Sequence, residues 1–294
     1  LFSKFDLVKE IFKITDQRLN YPLSKIILDG PENELQLTKN TQPAILAVSY
    51  SIFKLLKEEF NFNLNNFKFF AGHSLGEYSA LVCSNSLKFT DALFLLHERG
   101  IAMQEAVPVG EGSMVAILGT KIDEILKLIK LSDSENGICE IANDNANGQV
   151  IVSGNKKKIN FFQNLCKEKK IKCIPLKVSA PFHCSLMRPA AEKMEEKINK
   201  IKFEKPKFEI VSNVTAKKEN NPETIKRLLI EQIFSTVKWR ESLNTMSISG
   251  VKNFIEIGPG KALTGMVKRT IKDCNSFSIN SIADIKNLIN ELKK

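Results

Sequence analysis

"FFAGHSLGEYSALVC", residues 69–83, passes from an apolar segment through Gly72-His73-Ser74-Leu75-Gly76 into a helical pattern. A serine between two glycines at a strand-to-helix junction has two readings. It is a nucleophile held on a tight turn, or it sits in an ordinary connection that needs two small residues. The Gly-x-Ser-x-Gly pattern alone is weak. The strand before it and the helix after it raise its weight, because that context lifts a hydroxyl above the edge of a sheet. Side chains at either glycine would crowd the strained turn. The reading is a nucleophile at Ser74.

A serine at its ordinary pKa needs a base, and the chain has three histidines. His73 adjoins Ser74 on the turn, so its ring should diverge from the hydroxyl. His97 follows Phe94-Leu95-Leu96 inside a helical segment. His183 lies in "VSAPFHCSLM", just past a strand end, where α/β folds gather functional loops. Elimination selects His183, and no acidic residue stands out as its orienting partner. Arg99, in "LLHERGIAMQE", is one of six arginines among 43 basic residues. It reads either as a surface residue paired with Glu98 or Glu105, or as a fork that grips a carboxylate through two parallel hydrogen bonds.

The 294 residues suit one large domain, or a large domain with a small one. No apolar run approaches the roughly 18 residues that cross a bilayer, and no signal-peptide pattern opens the chain. The six cysteines show neither C-x-x-C pairs nor zinc-finger spacing, which suggests a reducing, cytoplasmic location and no metal. The formal charge of +10 comes mostly from dispersed lysines. With no nucleic-acid motif beside them, they read as a solvated surface, or one that suits an acidic protein partner.

Helical periodicity marks residues 1–20, with Phe2, Phe5, Val8, Ile11 and Phe12 on one face. Thr41, with Pro43 in the first turn, signals the helix that carries "AILAVSYSIFKLLKEEF". Thr90 or Asp91 is the expected cap of "TDALFLLHERGIAMQEA". From "SMVAILG" to "IKCIPLKVS" the order is β-α-β-β-α-β, the signature of a ferredoxin-like unit inserted between α/β segments. Beyond it come a helix near 185–201, the strand "FEIVSN", two helices, the strand "NFIEIG", a helix opened by Gly258-Pro259-Gly260, and a last amphipathic helix in "SIADIKNLINELKK".

Four ordered blocks, "GHSLGEYSALVC", "RGIAMQEAVPVGEGSMVAILG", "VSAPFHCSLMRPA" and "EIGPGKALTGMVKR", together resemble the malonyl-CoA:acyl carrier protein transacylases of bacterial type II fatty acid synthesis. The resemblance implies a hydrolase-like α/β large subdomain, residues 1–109 and 180–294, with the ferredoxin-like subdomain, residues 110–179, inserted in it. The active site would lie in the cleft between them. Ser74 would accept the acyl group and His183 would be the base, oriented by a main-chain carbonyl at Gln232 rather than by an acid. Arg99 would hold the free malonyl carboxylate, and the Leu75 N–H would face the oxyanion. Phe182 resembles the bulky residue that, in related polyketide acyltransferases, accompanies malonyl over methylmalonyl units. The implied partners are malonyl-CoA and acyl carrier protein, acting on a monomer with no cofactor, no nucleic acid and no membrane.

One departure stands out. The family opens with a strand and a Gly-Gln-Gly-Ser-Gln loop whose last glutamine supplies a second oxyanion N–H. Nothing like it occurs here, so the expectation is a missing N-terminal strand and an open groove beside Ser74. The rival functions are a hydrolase with the same nucleophile and base, and a carrier- or nucleic-acid-binding module.

Overall fold

The computed structural model describes residues 1–178 and 180–292. The periodic opening segment forms α1 (Asp6–Leu19), whose Val8, Ile11 and Phe12 are buried. Two short helices that the sequence pattern did not reveal follow, α2 (Leu23–Asp29) and α3 (Glu32–Leu35). The next helix, α4 (Thr38–Lys54), begins at Thr38 rather than Thr41, so Pro43 lies inside it. Pro43 has no N–H to offer the Lys39 carbonyl. His97 Nδ1 donates to that carbonyl instead, at 3.1 Å, and the helix continues through the proline.

Next come β1 (Phe69–Ala71), α5 (Gly76–Cys83) and α6 (Phe89–Glu105). Neither Thr90 nor Asp91 caps α6. The Asp91 and Ala92 amides already bond the Lys88 carbonyl, which makes Lys88 the cap residue without a side-chain bond. Buried Phe89 anchors this first turn in the core.

The middle of the chain runs β2 (Gly112–Leu118), α7 (Ile122–Leu131), β3 (Cys139–Ala146), β4 (Gln149–Asn155), α8 (Lys156–Glu168) and β5 (Lys172–Pro175). Its four strands form one antiparallel sheet in the order β3-β4-β2-β5. Ile125, Leu128, Ile159 and Phe162 pack on Val115, Ile117, Val150 and Val152 as an apolar core of their own. The expected end of this unit, Ser179, lies outside the described residues.

The chain then returns through α9 (Arg188–Asn199), β6 (Glu209–Val211), β7 (Lys218–Glu219), α10 (Pro222–Gln232), α11 (Trp239–Ile248), β8 (Asn253–Ile257), α12 (Ala262–Thr270), β9 (Asn275–Ile279) and α13 (Ile282–Glu291). Strands β7 and β9 are additions to the sequence reading, and Lys293 and Lys294 lie outside the described residues. β1 pairs in parallel with β6, which pairs with β7; β8 pairs in parallel with β9. The largest core joins α4, α5, α6, α9 and α10 through Leu46, Leu81, Leu93, Leu96, Met194 and Leu229. Between β1 and β8, whose facing edges carry no ladder partner among the described residues, runs a groove of about 1080 Å³ that reaches Gly72, His73 and Leu75.

The four-stranded antiparallel sheet meets the later part of the chain where β3 abuts the loop before α11. Asp144 N–H donates to the Val237 carbonyl at 2.9 Å, and Val237 N–H donates to that of Ala142 at 2.8 Å. Arg240 then grips buried Asp144 through two nitrogens, with contacts of 2.7 to 3.0 Å. No helix among the described residues is long and apolar enough to cross a membrane.

Candidate active site

Ser74 stands at the turn between β1 and α5 with φ +52°, a left-handed conformation that costs a residue with a Cβ. Gly72 makes the turn possible, since a Cβ there would lie 1.9 Å from the Gly76 carbonyl oxygen. Gly76 is different. A Cβ at that position would meet nothing within 4 Å, so only the first of the two glycines is required by crowding. The strained backbone is pinned by Asn213, just past the end of β6. Its Oδ1 accepts from Ser74 N–H at 2.7 Å, and its Nδ2 donates to the Gly72 carbonyl at 2.8 Å.

The loop before α9 delivers His183, itself at φ +57° and 5% exposed. Its Nε2 lies 2.8 Å from Ser74 Oγ. Its Nδ1 lies 2.9 Å from the Gln232 carbonyl oxygen at the C-terminal end of α10. A carbonyl only accepts, so Nδ1 carries the proton and Nε2 presents its lone pair to the serine hydroxyl. Burial, reinforced by the nearby Arg99 charge, pushes the imidazole pKa down to about 3 and keeps the ring neutral.

Arg99 is not at the surface. It is 1% exposed, while Glu98 pairs with Lys197 and Glu105 with Lys193. Its guanidinium donates to Gln42 Oε1 at 2.6 Å, to Gln232 Oε1 at 2.9 Å and to Ser74 Oγ at 3.1 Å. The Nε hydrogen has no partner among the described residues. Burial lowers the arginine pKa, with neighbouring Tyr78 and Glu77 working against the shift. A permanently protonated fork beside the nucleophile, bonded to neutral oxygens, is prepared for an anion.

Leu75 follows the serine, and its N–H has no partner among the described residues. Phe182, partly buried, packs beside Met114, Ala116 and Ile151 of the small sheet. His73 points away from the hydroxyl. Its Nε2 bonds Asn145 Oδ1 at 2.8 Å, its ring stands edge-on to Trp239, and burial lowers its pKa.

Three residues of the constellation escaped the sequence reading. Gln42 is a polar break in the apolar face of α4, and Asn213 follows a buried strand. Glu77 belongs to "GHSLGEYSALVC" itself, a single acid in an apolar helix. Their partners are remote in sequence, so residue type was the only available signal.

The geometry brings together a serine hydroxyl, a neutral histidine aligned by a main-chain carbonyl, a neighbouring amide without a partner among the described residues, and an arginine fork 3.1 Å from the hydroxyl oxygen. That arrangement is suited to acyl transfer from an anionic acyl group.

Comparison with known proteins agrees in kind. The chain matches the acyl transferase domain family over residues 10–291. It is similar to the malonyl CoA-acyl carrier protein transacylase of Bacillus subtilis, with 39% identity over all of this chain and 92% of that protein. The corresponding Escherichia coli K12 protein is 37% identical over 95% of this chain and 89% of its own length. Among solved structures, the acyl-carrier-protein S-malonyltransferase of Bartonella henselae superposes with a TM-score of 0.95 at 37% identity, covering 99% of this chain and 93% of that one. A malonyl-transacylase in complex with a type II PKS acyl-carrier protein superposes at 0.94 and 36% identity, over 99% of this chain and 93% of its own.

Proposed function

Because the chain belongs to the acyl transferase domain family, we infer that it moves a malonyl group from coenzyme A to the phosphopantetheine thiol of acyl carrier protein, in fatty acid synthesis, through a malonyl-serine intermediate. The observation that carries this is the line Ser74 Oγ, His183, Gln232 carbonyl, at 2.8 and 2.9 Å, with the Arg99 fork 3.1 Å from the same oxygen.

In the first half-reaction Ser74 Oγ attacks the thioester carbonyl while its proton passes to His183 Nε2. The Gln232 carbonyl, accepting from Nδ1–H, stabilises the imidazolium that forms. The Leu75 N–H bonds the oxyanion. As the carbon–sulfur bond breaks, His183 returns the proton to the coenzyme A sulfur. The second half mirrors the first: the carrier thiol gives its proton to His183 and attacks the ester, and Ser74 recovers its hydrogen as it leaves. No electrons are exchanged, so the scheme needs no redox cofactor. Arg99 holds the malonyl carboxylate, and Phe182 narrows the space beside the acyl carbon in favour of malonyl.

The finer architecture belongs to the same proposal: a hydrolase-like large subdomain, an inserted ferredoxin-like one at about residues 110–179, and the site between them. The β-α-β-β-α-β order and separate core of the insert support it. The two open edges facing the groove between β1 and β8 support a further strand there, carrying a second oxyanion donor. Comparing this chain with one extended at its amino end tests that point, since equal transfer rates would contradict it.

The function itself is tested with radiolabelled malonyl-CoA, acid trapping and peptide mapping. Label on Ser74 that moves to carrier supports transfer. Label lost only to water makes the protein a hydrolase, and no label makes it a binding module.

A further inference from the structure

Behind the nucleophile lies a carboxylate that the acyl-transfer scheme does not use. Glu77, in the first turn of α5, is 2% exposed. Its Oε2 accepts from Gln232 Nε2 at 2.7 Å and from Asn213 N–H at 3.2 Å. The Gln232 amide is thus a bridge: its Oε1 takes a bond from Arg99 at 2.9 Å while its Nε2 gives one to Glu77. A single amide separates the buried cation from the buried acid, and no carboxylate bonds Arg99 directly among the described residues.

Taking the malonyl-transfer reading as its basis, we propose that Glu77 is the counter-charge of Arg99 in the free site, and that it takes up a proton when the malonyl carboxylate arrives at Arg99. One guanidinium charge cannot neutralise two carboxylates in a low-dielectric pocket, and the more weakly coupled one yields its charge. The incoming group bonds the fork directly, whereas Glu77 acts through an amide.

The charged surroundings of Glu77 make it responsive. Arg99 on α6 favours its ionised form, and Glu219 on β7 opposes it. Adjacent Tyr78 keeps its proton, since burial raises its pKa to about 12. Burial, only partly offset by the bonds from Gln232 and Asn213 and by Arg99, lifts the Glu77 pKa to about 7. It therefore stands near half-protonation in neutral solution, and a second anion moves it decisively. His183 does not compete for that proton, because its depression to about 3 comes first from burial, which the substrate does not relieve.

The proton balance makes this measurable. Acylation forms the serine ester and breaks the thioester, and the Ser74 proton leaves on the coenzyme A thiol. Near neutral pH the exchange consumes no proton of its own. Uptake from solvent then reports Glu77.

The experiment mixes excess enzyme with malonyl-CoA in weakly buffered solution containing an indicator dye, near pH 7, and counts acyl-enzyme by intact mass. About 0.5 proton per malonyl-enzyme is expected there, approaching one about a pH unit higher after correction for ionisation of the released thiol. Glu77→Gln keeps an oxygen to accept from Gln232 and Asn213, and the acyl-enzyme it forms should appear without uptake. Malonyl-enzyme formed by the wild-type protein with no proton consumed would overturn the proposal, as would equal uptake by Glu77→Gln. The wild-type count decides alone if that variant fails to fold. If mass shows no malonyl-enzyme at all, the transfer reading fails and this inference with it.

Discussion

A guanidinium at 1% exposure whose direct partners among the described residues are two amide oxygens and a serine hydroxyl has no carboxylate bonded to it there, which is what a buried cation most needs. At the residue scale, the proposed malonyl transfer makes this the basis of acyl selectivity. Arg99→Ala should lower malonyl transfer by at least about a hundredfold, while acetyl transfer holds or rises, because truncation strands only the substrate that carries a charge. Parallel assays with malonyl-CoA and acetyl-CoA check this; equal losses would make Arg99 a packing residue. Asn213 makes a different claim. It bonds the backbone on both sides of the strained serine, so Asn213→Ala should cost about 1–3 kcal/mol in the chemical step. That is roughly a tenfold to hundredfold fall in kcat with little change in KM. A rise in KM alone would mean that Asn213 serves binding instead. Ser74 and His183 were legible because glycine spacing marks a turn and because so few histidines compete. The Gln232 contribution to His183 is a main-chain carbonyl, which any residue could supply, so only the resemblance pointed there. Asn213, Gln42 and Glu77 act through contacts that no local pattern encodes.

Elements with strong periodicity were read from the sequence nearly to their ends, and the errors fell where a partner from elsewhere changes the local rule. Thr41 and Pro43 look like a helix start, yet the Lys39 carbonyl freed by the proline is taken by His97, and α4 extends back to Thr38. Two-residue β7 and the polar strand β9 carry too little apolar pattern to be seen. The same dependence on neighbours separates the glycines. At Gly100, where α6 crosses the start of α4, a Cβ would stand 2.5 Å from Lys39 Cα. Gly100→Ala must push the helices apart and should destabilise the protein by about 1–3 kcal/mol. It should also weaken the adjoining Arg99–Gln42 bond, and with it malonyl selectivity. Gly76→Ala has open space within its helix, so its stability should hold or rise by up to about 1 kcal/mol. Urea denaturation of the two variants checks both. Similar losses at the two positions would mean that backbone conformation, rather than helix contact, sets the cost.

For the whole molecule, two of the buried titrating groups of the site, His183 and Glu77, pull stability in opposite directions as pH changes. The His183 pKa falls from its ordinary 6.5 to about 3 on folding. The unfolded chain therefore binds more protons in that interval, and stability rises with pH across it. The Glu77 pKa climbs from its ordinary 4.5 to about 7. Here the folded chain binds more protons, so the stability this group contributes is full below the unfolded value and is lost as pH rises through the folded one. The slopes oppose each other where the two intervals overlap. This predicts a flatter acid limb than His183 alone would give. Replacing Glu77 by Gln removes one slope and leaves the other. Relative to wild type, Glu77→Gln should gain about 3 kcal/mol between pH ~4 and pH ~8, from a shift of about two and a half pKa units at 1.36 kcal/mol each. Guanidinium titrations of both proteins at several pH values measure the difference directly, and its change with pH is insensitive to any fixed packing cost of the substitution. Two curves that stay parallel across the range would mean that Glu77 titrates alike in the folded and unfolded chains. The buried amide bridge would then hold a carboxylate whose charge the fold does not perturb.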